Sequence, residues 1–295
     1  MSLLPNLSRR RWLASLGLLP LLQACSPLAL INATVPTDTH RAITDQIYGP
    51  DPRHRLDVYL PPSPVSDAPA VLFFYGGTWS SGRRQDYRFV GEALASRGIV
   101  ALVADYRLSP QVSYPSFVQD SALALRWAWD RAERLGASPR RLFVMGHSAG
   151  AYNAAMLALD PRWLGAVGLA PQQLAGWIGL AGPYDFLPID VREAQLAFDW
   201  PDTPLDSQPM FHALRAQPAQ TPPALLLAAR EDTLVDPLRN SQGLARALAR
   251  QGVPADLALL DRVSHTTLIG SFAVPLRGLA PTLDRVSDFV RGPLA

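Results

Sequence analysis

The 295-residue sequence contains no lysine and one cysteine, Cys25. Its 27 basic residues are therefore all arginine, and they are spread along the chain among 25 acidic residues. Without a basic patch or stripe, nucleic-acid binding has no surface to rest on. A single cysteine excludes an internal disulfide. His-x-His, His-Glu-x-x-His and Gly-rich phosphate loops are missing, and the five histidines are scattered, so neither a metal centre nor a cofactor is predicted. Internal repeats are absent as well. What the chain has in quantity is apolar surface to bury. At 48% hydrophobic residues it can build a sizeable core, which excludes disorder and collagen-like structure.

Residues 1–24 read as a removable leader. Arg9-Arg10-Arg11 precedes an uncharged apolar run over 12–24 that is too short to span a bilayer but right for a signal h-region. Its loss takes away three arginines and no acid, which leaves 24 basic against 25 acidic residues and no strong field to steer a charged ligand. Ser8-Arg9-Arg10-Arg11-Trp12-Leu13 resembles the twin-arginine export signature, an ordinary secretory n-region being the alternative. Leu22-Gln23-Ala24-Cys25 resembles the bacterial lipobox, which implies lipidation of Cys25; a buried hydrophobic cysteine is the alternative. Ser26 after the cysteine implies sorting to the outer membrane. Acyl chains, worth about 0.8 kcal/mol per buried methylene, would anchor an otherwise soluble domain. The expectation is an exported protein, lipid-anchored and facing the periplasm. An extended tether would fill 25–41 and one domain 42–295.

Within that domain, segments 43–48 and 55–60 read as strands joined by the turn Gly49-Pro50-Asp51-Pro52. Apolar runs at 70–75, 100–106, 141–145, 177–181, 224–229 and 256–260 suit buried parallel strands. Helical stretches at 87–96, 117–134, 149–159, 237–251 and 281–290 alternate with them. This pattern predicts an α/β fold, a doubly wound, mostly parallel sheet with an antiparallel start. Proline and aspartate interrupt the pattern over 187–222, too long for a plain connection, and a small lid is expected there.

Between the run 141–145 and the helix after it lies Gly146-His147-Ser148-Ala149-Gly150. Two glycines flanking a serine at a strand-to-helix junction mark a sharp turn with no room for a Cβ on either side. Here the chain resembles the α/β-hydrolase superfamily, whose nucleophile elbow is Gly-x-Ser-x-Gly. The resemblance covers residues 43–290 and points to the hormone-sensitive-lipase-like and feruloyl-esterase-like carboxylesterase branch. It implies a triad in the order serine, acid, histidine, because a serine hydroxyl attacks only when a neighbouring base takes its proton.

By that resemblance Ser148 is the nucleophile. His265 follows the last apolar run, where the family's histidine sits; the other downstream histidine, His212, lies in 187–222 among Met210, Phe211 and Leu214 and reads as packing or surface. Ala229-Arg230-Glu231-Asp232-Thr233-Leu234-Val235 resembles the family's Gly-x-x-Asp-x-x-Val segment, which makes Asp232 the acid rather than its neighbours Glu231 or Asp236. Tyr75-Gly76-Gly77-Thr78-Trp79 resembles the His-Gly-Gly-x-Trp oxyanion segment and implies N–H donors from Gly77, Thr78 and Ala149. Tyr75 departs from the usual histidine, so the hydrogen bonds supporting that loop must differ. Asp105-Tyr106-Arg107-Leu108-Ser109-Pro110, Pro115 and Asp120 match a scaffold stretch of the family. Gly182-Pro183-Tyr184-Asp185 resembles a segment bordering the cleft. Trp79 and Tyr184 are predicted to line the substrate pocket, with Tyr152 and Phe186 as further candidates; as isolated aromatics they fit the core equally.

The expected activity is cleavage of carboxylic esters through an acyl-enzyme, with a small-molecule ester as partner and the membrane touched only by the anchor. Arylformamidase or acyltransferase chemistry by the same triad is an alternative, and a non-catalytic hydrolase-fold binding protein is the alternative of a different class. Acyl length, alcohol preference and oligomeric state are not written in these motifs.

Overall fold

Continuous apolar runs with no alternation belong in strands covered on both faces, and the central strands of this chain are of that kind. The computed structural model describes residues 27–292; the export signature, the lipobox and Cys25 lie outside the described residues. The strands are β1 (Arg41–Ile47), β2 (Arg55–Leu60), β3 (Ala68–Phe74), β4 (Val100–Ala104), β5 (Ala137–His147), β6 (Gly176–Leu180), β7 (Ala224–Ala229) and β8 (Ala255–Leu260). Every residue of β3, β4, β6 and β7 is buried. They form one eight-stranded sheet in the order β1-β2-β4-β3-β5-β6-β7-β8. β1 and β2 run antiparallel to their neighbours, and all pairs from β4 to β8 are parallel.

Helices cover both faces. Arg88–Ala95 and Thr282–Arg291 lie on one side; Ser116–Arg131, Ala149–Leu159 and Gly243–Arg250 lie on the other. From β3 the chain crosses outward to β4 on one side, and later strands step the other way through β5. This reversal opens a crevice beyond the carboxyl ends of β3 and β5, the place where open α/β sheets bind ligands.

Differences from the expected elements have local causes. The helix expected over 237–251 begins as a wide turn at Leu238–Gln242, where Asp236 Oδ1 accepts from the N–H of Leu238 at 2.8 Å. The tether expected to be extended is in part a helix, Pro27–Ala33. Leu28, Ile31 and Val35 pack on the core there, and Asn32 Nδ2 donates to the Gln85 carbonyl at 3.0 Å. Apolar spacing over one short turn is too slight a signal to separate docked helix from link. Segment 187–222 carries two short helices, Arg192–Ala197 and Pro209–Ala213. Tyr152 ties it to the sheet-covering helix by donating from its hydroxyl to the Ser207 carbonyl at 2.7 Å. Among the described residues no helix is long and apolar enough to cross a membrane.

Candidate active site

β5 ends at His147, and the helix Ala149–Leu159 starts one residue beyond Ser148. Ser148 makes the turn alone, at φ 54° and ψ −122°. A non-glycine residue held there stores roughly 1–3 kcal/mol of strain, sustained by the surrounding packing. The flanking glycines have a steric cause. A Cβ on Gly146 would run into the Gly150 backbone, and one on Gly150 into the carbonyls of Phe74 and Tyr75. Ser148 N–H donates to the Leu180 carbonyl at 2.9 Å, which ties the turn to β6. The serine is half-buried and opens on a cavity at the end of the sheet.

Past β7, Asp232 is buried, and its Oδ1 accepts from the N–H groups of Leu234 at 2.9 Å and Val235 at 3.0 Å. Its Oδ2 lies 2.8 Å from His265 Nδ1. Burial by itself would raise the Asp232 pKa; the hydrogen bonds from His265 and from the Val235 and Leu234 amides outweigh it and hold the carboxyl below its usual range. The side chain is therefore a carboxylate at neutral pH, and Nδ1 of His265 must carry the proton it shares. The opposite ring edge, Nε2, is left for the cavity that His265 and Ser148 both line. His265 opens the helix His265–Gly270, capped by Ser264, whose Oγ accepts from the Thr267 N–H at 3.3 Å.

Past β3, Gly77, Thr78 and Trp79 all take positive φ, at 125°, 51° and 54°. A Cβ on Gly77 would run into the Ser81 carbonyl, so the loop's tight fold needs glycine. Gly77, Thr78 and Ala149 line the cavity beside Ser148, and their N–H groups have no acceptor among the described residues. Ala149 is the first residue of its helix, where N–H groups lack intrahelical partners and the helix dipole favours negative charge.

The tyrosine that replaces the usual histidine explains how this loop is held. Tyr75 is fully buried; its hydroxyl donates to Asp105 Oδ1 at 2.8 Å and accepts from Arg53 Nη2 at 2.6 Å. Its ring stacks on Tyr87 and Tyr106, with centroids 5.4 and 4.9 Å apart, and Tyr106 donates to the Tyr75 carbonyl at 2.8 Å. Arg84 completes the network, with Nη1 on Asp105 Oδ2 at 2.6 Å and Nε on Asp57 Oδ1 at 2.9 Å. The sequence flagged Asp105 only as scaffold. Its side-chain partners Arg53, Tyr75 and Arg84 come from three separate segments, which no local pattern could join.

The cavity measures about 590 Å³. Trp79 lines it while almost wholly buried, its Nε1–H donating to Asn153 Oδ1 at 3.1 Å and its ring packed edge-on to Tyr152 and Phe198. Phe186 lines it too. Tyr184, predicted as a pocket residue, is instead core. It is fully buried beside Gly179 and Gly182, neither of which leaves room for a Cβ against its ring or hydroxyl, and it packs edge-on to Trp177. Its backbone turns the chain at the cleft while its side chain points into the layer beneath, a choice that alternation on a loop does not encode. Tyr152 is likewise buried outside the lining. The outer wall comes from 187–222 and its neighbours: Ile189, Val191, Leu234 and an exposed pair, Arg239 Nε to Asp185 Oδ2 at 3.1 Å. His212 lies outside the cavity, its Nε2 2.7 Å from the Asp206 carbonyl. Among the described residues no group of three or more His, Cys, Asp or Glu side chains is placed to hold a metal ion.

His147 has no role in the sequence reading, although it sits inside the serine motif. It lines the cavity yet is 95% buried, and burial foremost, then the neighbouring His265, depresses its pKa to about 3.

Comparison with known proteins fits this architecture. Residues 56–248 match the model of the BD-FAE family. A probable isoprenylcysteine alpha-carbonyl methylesterase of Arabidopsis thaliana is 29% identical over 254 residues, 79% of this chain and 52% of its own length. The chain thus spans about half the length of that relative. The carboxylesterase NlhH of Mycobacterium tuberculosis is 31% identical over 245 residues, 76% of either chain. Among solved structures, a truncated carbohydrate esterase from gut microbiota superposes with a TM-score of 0.74 at 18% identity, covering 87% of this chain and 98% of its own. An esterase of Pyrobaculum calidifontis gives 0.72 at 22% identity, covering 91% and 90%. At such identities the structural likeness speaks to the fold.

Proposed function

Since the chain belongs to the BD-FAE family, with an α/β-hydrolase fold of the carboxylesterase type, we propose that it hydrolyses carboxylic esters through Ser148, His265 and Asp232. The observation that carries this reading is the 2.8 Å hydrogen bond from His265 Nδ1 to Asp232 Oδ2, in a buried pair whose histidine lines the same cavity as the strained Ser148 turn.

In this reading the carboxylate of Asp232 holds His265 in the tautomer with Nδ1 protonated, which leaves Nε2 free to act as base. Ser148 Oγ attacks the ester carbonyl carbon as His265 takes its proton. The developing oxyanion sits among the N–H groups of Gly77, Thr78 and Ala149, each such donor being worth about 3 kcal/mol in the transition state. His265, now an imidazolium balanced by Asp232, gives its proton to the departing alkoxide, and an alcohol leaves. Water then enters, is deprotonated by His265, and attacks the acyl-serine; the carboxylic acid departs and Ser148 regains its proton. Each half-reaction conserves the single shuttled proton.

A cavity of about 590 Å³ suits a small to drug-sized ester and buries much of it. Methyl esters and simple carboxylic esters, the bond types in the relatives' names, fit inside it. A fluorophosphonate probe tests the proposal. Covalent labelling of the wild type and none of Ser148→Ala is expected; an unlabelled wild type that stays folded would favour a non-catalytic binding protein.

A further inference from the structure

His147 touches both halves of the machinery without belonging to either. Its Nε2 lies 2.9 Å from the backbone carbonyl of His265, so Nε2 must carry the proton and donate. The two imidazoles sit 4.9 Å apart, tilted by 49°. Nδ1 is buried without a partner, and a Cβ on Gly76 would come within 3.2 Å of it, so the ring also abuts the start of the Gly76–Gly77 loop. One side chain on β5 therefore meets the first residue of the His265 helix and the base of the oxyanion loop, segments far apart in the chain.

We infer that His147 is a positioning residue, which fixes the backbone of His265 against the serine turn and thereby sets the aim of the His265 imidazole. The inference rests on the roles proposed above for Ser148 and His265. The residue type fits the task. A ring closing the gap between two segments has only two χ angles to freeze, and one N–H reaches the carbonyl. Burial keeps it uncharged; the charged or titrating groups that influence it are His265 and Asp232. A cation at 147 would oppose the imidazolium that His265 must become.

Glutamine places an amide N–H at about the reach of Nε2, asparagine falls short of it, and leucine fills space without a donor. His147→Leu and His147→Asn are expected to lower kcat on p-nitrophenyl acetate by roughly ten- to a hundredfold, the scale of a small misplacement of a reacting group, with KM within about twofold. His147→Gln should stay within about threefold of wild type. Rates of fluorophosphonate labelling should follow kcat, and thermal midpoints are measured alongside. A folded leucine or asparagine variant with wild-type kcat overturns the inference, as does a glutamine variant that falls as far as the leucine one. If leucine does not fold, the asparagine–glutamine contrast decides alone. A folded wild type that the probe fails to label would instead overturn the proposed function, leaving the two failures distinct.

Discussion

The two walls of the cavity are built differently. The inner wall, from Tyr75 to Trp79 and from His147 to Ala149, grows out of β3 and β5, and hydrogen bonds hold it: buried Asp105 and half-buried Arg53 on Tyr75, Asn153 on Trp79, the His265 carbonyl on His147. The outer wall, with Val191, Leu234 and the Arg239–Asp185 pair, is exposed and stands on loops. Buried hydrogen-bonded groups have one arrangement at low energy, whereas exposed pairs exchange their partners for water at little cost. In the proposed function, the chemistry that needs close alignment thus sits by the rigid wall, and the exposed wall is the one freer to change.

Three substitutions would break or sharpen that contrast, beginning with the largest effect. Asp232→Asn keeps the shape but leaves His265 in the wrong tautomer. By analogy with serine proteases, kcat should fall about 10⁴-fold with the melting curve little changed; steady-state kinetics showing less than a tenfold loss would remove Asp232 from the proposed role. Tyr75→Phe strips the hydroxyl from the buried network and deprives Asp105 and Arg53 of a partner each. A cost of about 1–3 kcal/mol is expected in urea unfolding, with a smaller loss of kcat as the oxyanion loop loosens. An unchanged midpoint would mean that the inner wall does not depend on this network. Arg239→Ala removes one partner of a pair whose side chains are 42% and 39% exposed, so stability should move by less than about 1 kcal/mol. Its kcat on neutral esters should stay near wild type, any change appearing in KM; a collapse of kcat would place Arg239 with the inner wall and erase the contrast.

Much of the inner wall was legible because its demands are local. A serine that must sit at φ 54° needs neighbours without a Cβ, so glycine marks the turn in the sequence itself. Parallel strands buried on both faces leave unbroken apolar runs, and those runs located β3 to β7 to within a few residues. The outer wall left no such mark. Nothing local separates Phe186, which lines the cavity, from Tyr184 two residues earlier, which packs under the sheet.

By itself, then, the sequence determined the order of the main strands and the glycine-flanked turn, through apolar runs and backbone sterics, while its resemblance to the α/β-hydrolases offered Ser148, Asp232 and His265. Only the tertiary structure decided that Asp232 and His265 come within 2.8 Å, that Tyr75 hands its hydroxyl to Asp105, and that His147 bridges to His265. Those contacts join residues 30 to 118 positions apart. They exist because the parallel part of the sheet brings the ends of β3, β4, β5, β7 and β8 to one edge, a consequence of crossover topology that no single segment carries.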